Sequence, residues 1–259
     1  MPRLPLSVAL ISLNEEARIA STLRAVQDIA REIIVVDAHS TDATRSIAET
    51  YGAIVYEEDW KGYGRQKQSL LEKCSCDWIL FLDCDEVLSP EAVKSLSLIL
   101  TQPLVHPVYK LNMRTWYAGK FLDYIWQPDR HIRLVHRSAQ PQWTTAVVHE
   151  QLLFSGSVGT IEGDVWHYSY PTIEAHFRKT IHYARLSADI QFKDGKRARW
   201  YNFILNPLAG FIRRYILERG FLDGVRGLIV AMSAIIYFFL KYAFLWEKQN
   251  ANNDHNTSA

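Results

Sequence analysis

The repeated alternation of short apolar runs with helix-periodic stretches limits how this chain folds more than any other feature. Leu6–Ser12 is nearly all apolar, and Glu15–Ala30 then sets Ile19, Leu23 and Val26 at helical spacing. Glu32–Asp37 is a second strand, and Ser40-Thr41-Asp42 offers N-cap chemistry for a helix running to about Tyr51. Ala53–Tyr56 reads as a third strand, Gly64–Cys74 as a third helix and Asp77–Leu82 as a fourth strand, after which Ser89-Pro90-Glu91 opens a fourth helix. Strands this continuously apolar are buried on both faces, so the expected class is α/β, a Rossmann-like, mostly parallel sheet with helices on both faces. Ligands of such sheets bind beyond the carboxyl ends of the strands. The polar residues to weigh are therefore Asn14 and Glu15, Asp37, and Asp83 to Glu86.

From Val105 to Tyr170 the pattern changes to shorter strands with aromatics and turns. From about Thr172 the chain reads as helical, with Pro207 and Gly220 as breaks, and 250–259 is a polar tail expected to be disordered.

Asp83-Cys84-Asp85-Glu86 follows an apolar strand directly. If strand geometry continues, Asp83 and Asp85 share one face while Cys84 turns inward, and the two carboxylates can hold a hard divalent cation that neutralises a diphosphate. A solvated turn leading to Ser89 is the plainer alternative. Asp37 closes the second strand where a carboxylate can accept from a nucleobase imide, Asp42 being placed to cap the next helix. Gly62-x-Gly64-Arg65-Gln66-Lys67 sets cations beside flexible backbone, which suits a diphosphate or simply an exposed helix start.

Ser12-Leu13-Asn14-Glu15-Glu16, Val35-Val36-Asp37-Ala38-His39-Ser40-Thr41-Asp42-Ala43-Thr44 and Leu82-Asp83-Cys84-Asp85-Glu86, in that order, resemble family 2 glycosyltransferases. The resemblance implies a GT-A fold, inverting transfer and a nucleotide-sugar donor. Val148-His149-Glu150, Trp166-His167-Tyr168-Ser169-Tyr170 and Gly220-Phe221-Leu222-Asp223-Gly224 extend it to the bacterial subgroup containing lipopolysaccharide-core β-1,4-glucosyltransferases. It implies that Asp37 contacts the base, Asp83 the ribose or metal environment, and Asp85 a Mg²⁺ or Mn²⁺ ion, with Asn14 and Glu15 lining the nucleotide cleft and Lys67 on the diphosphate. Glu150 is the candidate base, with His149 beside it, and His167 is a further metal ligand or acceptor contact. Cys84 stands where Ala is common between the two aspartates. The implied organisation is a catalytic domain over 1–169, with a nucleotide-sugar half to about 103 and an acceptor half over 104–169, then a helical region over 170–249. Glucose from UDP-glucose and an inner-core heptose are the implied donor and acceptor. A polyprenyl-phosphate or other glycan transferase is the alternative within the fold. Outside it stand a sugar-nucleotide pyrophosphorylase, although its Gly-x-Gly-Thr-Arg signature is replaced here by Leu13-Asn14-Glu15, and an inactive nucleotide-binding module.

Composition narrows the classes further. Of 259 residues 48% are hydrophobic and 22% charged, as in globular chains, and a net charge of +1 gives no basic field for nucleic acid. The charge is unevenly placed: 1–169 balances at −5 and 170–259 at +6. Cys74, Cys76 and Cys84 are an odd, crowded set without zinc spacing, read as reduced thiols. No long apolar stretch precedes Asn14, so no secretory signal is expected. Arg199–Arg219 mixes arginines with aromatics, and Gly227–Leu240 is an uncharged run of about 21 Å as a helix, short of the ~30 Å bilayer core. The expectation is peripheral attachment to the cytoplasmic side of the bacterial inner membrane, where a lipid-anchored saccharide acceptor is met, against the alternative of a core helix.

Overall fold

A computed structural model describes residues 3–144 and 150–256, with side chains described through 251. The chain divides into two compact units, one of Met1–Met113 with Asp129–His167, the other of Arg114–Pro128 with Tyr168–Ala259.

In the first unit β1 (Leu4–Ser12), β2 (Ala30–Asp37), β3 (Ile54–Glu57) and β4 (Trp78–Phe81) run parallel in the order β3-β2-β1-β4. They are joined by α1 (Ile19–Val26), α2 (Thr44–Thr50) and α3 (Tyr63–Lys73), the elements that the alternation predicts. β5 (Glu86–Leu88) and α4 (Pro90–Thr101) follow. Beyond β4 the pairing turns antiparallel: β8 (Arg130–His136) lies between β4 and β6 (Val108–Tyr117), and β11 (Val158–Tyr170) pairs with β5. With β7 (Lys120–Phe121) on the edge of β6, the described sheet has nine strands and is mixed, parallel only in the half built by strand–helix alternation. A separate antiparallel pair, β9 (Gln142–Trp143) and β10 (Leu152–Leu153), flanks it.

The period-two alternation of β1 and β2 divides their side chains between two cores. Leu6, Val8, Leu10, Ile33 and Val35 pack with Leu23 of α1 and Leu96 of α4, whereas Ala9, Ile34 and Val36 pack with Leu70 and Leu71 of α3 on the other face. Helix α4 begins where Ser89 Oγ accepts from Ala92 N at 3.2 Å, and the same oxygen accepts from Asp164 N at 3.1 Å. Close by, Gly163 has φ +94°, and a Cβ there would lie 2.3 Å from Ala92 N, so only glycine lets β11 pass the helix start. All three cysteines are free and buried, as the sequence suggests.

The second unit holds α5 (Ile173–Lys193), α6 (Asn202–Ile212), a π-helical turn over Arg213–Leu217 and α7 (Gly224–Asn256). Pro207 does not break the chain here: it sits inside α6. Gly220 does fall at a break, in the 3₁₀ turn before α7. Helix α7 has 33 residues, far more than the 14-residue uncharged run between Arg226 and Lys241. Its apolar stretch has a mean hydropathy of 2.1, with 28% of it buried, so by length and composition this helix can cross a bilayer and the argument from shortness falls.

His176 is 3% exposed, with Nδ1 2.8 Å from Tyr117 Oη among the rings of Trp126 and Tyr170. Burial, with some help from Lys179, pushes its pKa down from 6.5 to about 4. An unfolded chain therefore takes up a proton that the fold refuses, and stability is lost as pH falls from 6.5 towards 4. Thermal unfolding of the wild type should shift to lower temperature across that window, and His176→Gln should flatten the shift.

Candidate active site

The loops leaving β1 and β2 are laced together at the carboxyl ends of those strands. Asn14, at φ +54°, donates its N–H to Ser40 Oγ at 2.8 Å, while its Oδ1 accepts from Thr41 N at 2.9 Å. Glu15 N donates to Thr44 Oγ1 at 2.7 Å, and Glu16 Oε2 accepts from Ala43 N at 2.9 Å. Asp37 is fully buried and accepts from Ser12 Oγ at 2.7 Å and from Ser40 N and Oγ at 2.7 and 2.5 Å. The first two sequence motifs are thus the two halves of one shelf. Asp37, expected to be open to a base, instead closes this turn. The N-cap residue of α2 is Ala43, which has no capping side chain, and Asp42, one residue earlier, accepts from the first helical N–H, Thr44 N, at 3.0 Å.

Strand geometry does not continue through the third motif. β4 ends at Phe81, and Glu86 N donates to Asp83 O at 3.0 Å, so residues 83–86 form a turn. Cys84 points inward as expected, its Sγ 3.3 Å from Ile11 O, but the two aspartates go to different partners. Asp83 lies 3.4 Å from Arg133 Nη2, and the same guanidinium binds Glu86 Oε1, while Glu86 Oε2 accepts from Asp83 N at 3.0 Å. Burial disfavours the charged form of both carboxylates. It raises the Glu86 pKa, whereas Arg133 and Lys67 overcome it at Asp83 and hold that carboxyl below the ordinary range.

Asp85 faces the other way. Its Oδ2 is 3.6 Å from Arg18 Nη1, and its Oδ1 is 3.6 Å from His167 Nε2. Pairing of β11 with β5 sets His167 opposite Glu86 and so brings the imidazole to this turn. Arg18 also pairs with Glu15 at 2.8 Å, and burial followed by the charge of Asp85 raises the Glu15 pKa. Among the described residues no three His, Cys, Asp or Glu side chains form a ready-made metal site. The Asp85–His167 pair nevertheless fits a divalent cation, because a carboxylate oxygen and an imidazole nitrogen this close can occupy adjacent positions, with phosphate oxygens and water filling the rest.

Helix α3 carries the remaining charge. Lys67 Nζ is 2.9 Å from Glu150 Oε1 and lies over the Trp143 ring at 4.9 Å. Trp143 N donates to Gln68 Oε1 at 2.9 Å, which docks β9 and hence Glu150 on α3. Gly64 permits this approach, since a Cβ there would lie 1.9 Å from Thr144 O. The candidate base and the candidate diphosphate cation are therefore one ion pair. His149, the other candidate, lies outside the described residues.

Arg133 and Arg18 were missed by sequence reasoning. Arg133 had a signal: it interrupts Ile132, Leu134 and Val135 in an otherwise apolar strand, where a buried cation needs a carboxylate. Arg18, immediately before α1, had none.

This topology, with its polar residues gathered at the strand ends, is that of a GT-A-type fold. The glycosyl transferase family 2 model matches residues 7–117. The lipopolysaccharide core biosynthesis glycosyltransferase LpsC of Rhizobium meliloti is 31% identical over 96% of this chain and 94% of its own length. An uncharacterized glycosyltransferase of Rickettsia typhi is 30% identical over 93% of this chain and 87% of its own. The crystal structure of S. aureus TarS 1–349 superposes with a TM-score of 0.50 at 15% identity, covering 95% of this chain and 91% of that one, a likeness of fold. The chain belongs to glycosyl transferase family 2 and is a glycosyltransferase, which sets aside the pyrophosphorylase alternative.

Arg133 and Glu86 have side-chain exposures of 12% and 0%, so removing Arg133 leaves the Glu86 carboxyl buried without the cation that pairs with it. Arg133→Met should cost about 3–5 kcal/mol in denaturant unfolding, and the double variant Arg133→Met/Glu86→Met should recover most of that loss.

Proposed function

We propose that the protein transfers glucose from UDP-glucose, with inversion, to a saccharide acceptor, the inner-core heptose of lipopolysaccharide. The geometry carrying this reading is the meeting of the Asp83–Glu86 turn with His167 at the end of β4. The lipopolysaccharide-core relative supports the acceptor class. Asn14 and Glu15 line the shelf for the nucleotide, and Asp37 acts on the base through the loops it holds. Asp83, oriented by Arg133, faces the ribose side.

Asp85 and His167 would hold Mg²⁺ or Mn²⁺, which supplies positive charge to the departing diphosphate. Lys67 adds charge to the same group. A donor diphosphate that draws Lys67 away releases Glu150 from its ion pair at the point when a proton acceptor is needed. The acceptor hydroxyl oxygen then bonds to the anomeric carbon, its proton passes to Glu150, and the electron pair of the broken C–O bond leaves with the nucleoside diphosphate.

Attachment to the cytoplasmic side of the bacterial inner membrane is part of the same reading. Leu217 and Val225 are each 72% exposed, Ile204, Leu208 and Leu222 are exposed as well, and Arg213 and Arg219 lie beside them in the chain. A lipid-anchored acceptor met at that surface is effectively concentrated.

The test is transfer to truncated lipopolysaccharide from a panel of nucleotide sugars, with UDP-glucose expected to be used. Asp85→Ala should lose nearly all transfer while remaining folded, and unchanged turnover at saturating metal would refute the assignment. Glu150→Gln should still bind donor, with turnover falling about 10²–10⁴-fold. If His149→Ala carries that loss instead, the base is His149. Donor binding without transfer to any acceptor would favour the inactive module.

A further inference from the structure

Helix α5 ends in a tight glycine turn. Gly195, at φ +71°, donates its N–H to Phe192 O at 3.0 Å, and Lys196 N donates to Gln191 O at 2.9 Å, which closes the helix and sends the chain off sideways. The segment 196–199 thereby passes over the carboxyl-terminal half of α7, and a cavity of about 630 Å³ forms in this unit. Lys196, Arg197 and Arg199 line it together with Tyr201, Tyr242 and Gln249. Among the described residues no carboxylate lines the cavity, and Lys196 pairs with Asp194 at 3.6 Å. Among the described residues neither Arg197 nor Arg199 is in an ion pair. The same unit holds a further cation: Lys241, 8% exposed, with Nζ 4.7 Å from the Tyr242 ring centre and 5.2 Å from that of Phe238.

A second hollow of about 560 Å³ adjoins the first and shares Ala198 with it. Its walls are Trp200, Phe203, Ile204 and Trp246, and the two tryptophans are 77% and 55% exposed. Exposed indoles above an apolar groove suit the boundary between headgroup and acyl chain. A cationic cavity beside an apolar groove matches one kind of molecule, an amphiphile with an anionic head.

We propose that this paired cavity is a binding site for an anionic phospholipid, its phosphodiester on Arg197, Arg199 and Lys196 and the start of an acyl chain against Trp200 and Trp246. The site rests on the reading of the protein as membrane-attached and adds to it a defined headgroup pocket, distinct from diffuse attraction to a charged surface. A free sugar phosphate fills only the first cavity and leaves the indoles in water. A zwitterionic phospholipid places a quaternary ammonium among three cations, which charge repulsion disfavours.

The full-length protein should be titrated with dihexanoyl phosphatidylglycerol below its micelle concentration, followed by tryptophan emission and native mass spectrometry. One molecule should bind saturably, and dihexanoyl phosphatidylcholine and glycerol phosphate should bind about tenfold or more weakly. Arg197→Gln/Arg199→Gln should lose about tenfold or more in affinity, Trp200→Phe/Trp246→Phe should remove most of the emission change, and Arg178→Gln, outside the lining, should bind as the wild type does. The arginines of the pocket are at its surface, so the variants should unfold at the wild-type temperature. Sedimentation with phosphatidylglycerol vesicles separates the two readings. Wild-type binding that Arg197→Gln/Arg199→Gln leaves intact, with no loss of the short-chain lipid, overturns the pocket and leaves membrane attachment standing. Failure of the wild type to bind these vesicles overturns both.

Discussion

Burial of β1 on both faces is the constraint from which the first unit follows. With β2 on one side and β4 on the other, and with helices above and below, Leu6, Val8, Ala9 and Leu10 are at most 1% exposed, and the buried hydroxyl of Ser7 among them is tolerated because it donates to Glu32 and accepts from Cys76 N. Polar chemistry is pushed to the strand ends, where the chain leaves the sheet and backbone groups need new partners. Asn14, Asp37, Ser40 and Thr44 supply those partners to one another across the two loops. The same hydrogen bonds that satisfy the loops hold the shelf at the mouth of the sheet in one shape.

At the end of β4 the site is organised by compensation of charge. Four carboxylates, Glu15, Asp83, Asp85 and Glu86, are interleaved with Arg18, Arg133 and Lys67 and with His167. Arg133 acts on two of them at once, neutralising Glu86 in the interior and keeping Asp83 ionised at the surface of the turn. Asp85 escapes that pairing and faces His167, which makes it the carboxylate suited to a cation. Lys67 joins this cluster to Glu150, so the proposed proton acceptor and the proposed diphosphate cation form one ion pair.

The second unit obeys a different rule. Its helices bury modest side chains such as Ala184, Ala188, Val230 and Ala231 against one another and leave many larger apolar ones outside. Such a surface is stable in water only when little of it is contiguous, and here it is extensive along α6 and the start of α7. The same unit holds the excess positive charge of the chain. Apolar area and cations together are the observations on which the proposed membrane attachment rests.

By itself the sequence determined the four parallel strands and the helices between them, the capping of α4 by Ser89 and the motifs that form the shelf, because these rest on local periodicity and short-range hydrogen bonding. It also singled out Lys67, Asp85, Glu150 and His167 one at a time. Only the tertiary structure decided how they combine. The turn at 83–86 sent two aspartates to separate partners, because Glu86 N bonds to Asp83 O and Arg133 arrives from β8, about fifty residues away. Lys67 met Glu150 across 83 positions because the β9–β10 pair docks on α3. Asp37 became a buried tie, and α7 outran its apolar core, since hydrogen bonds from a neighbouring strand and packing against neighbouring helices leave no trace in local spacing. Local pattern sets which elements form, and long-range pairing of buried charge sets which residues share a site.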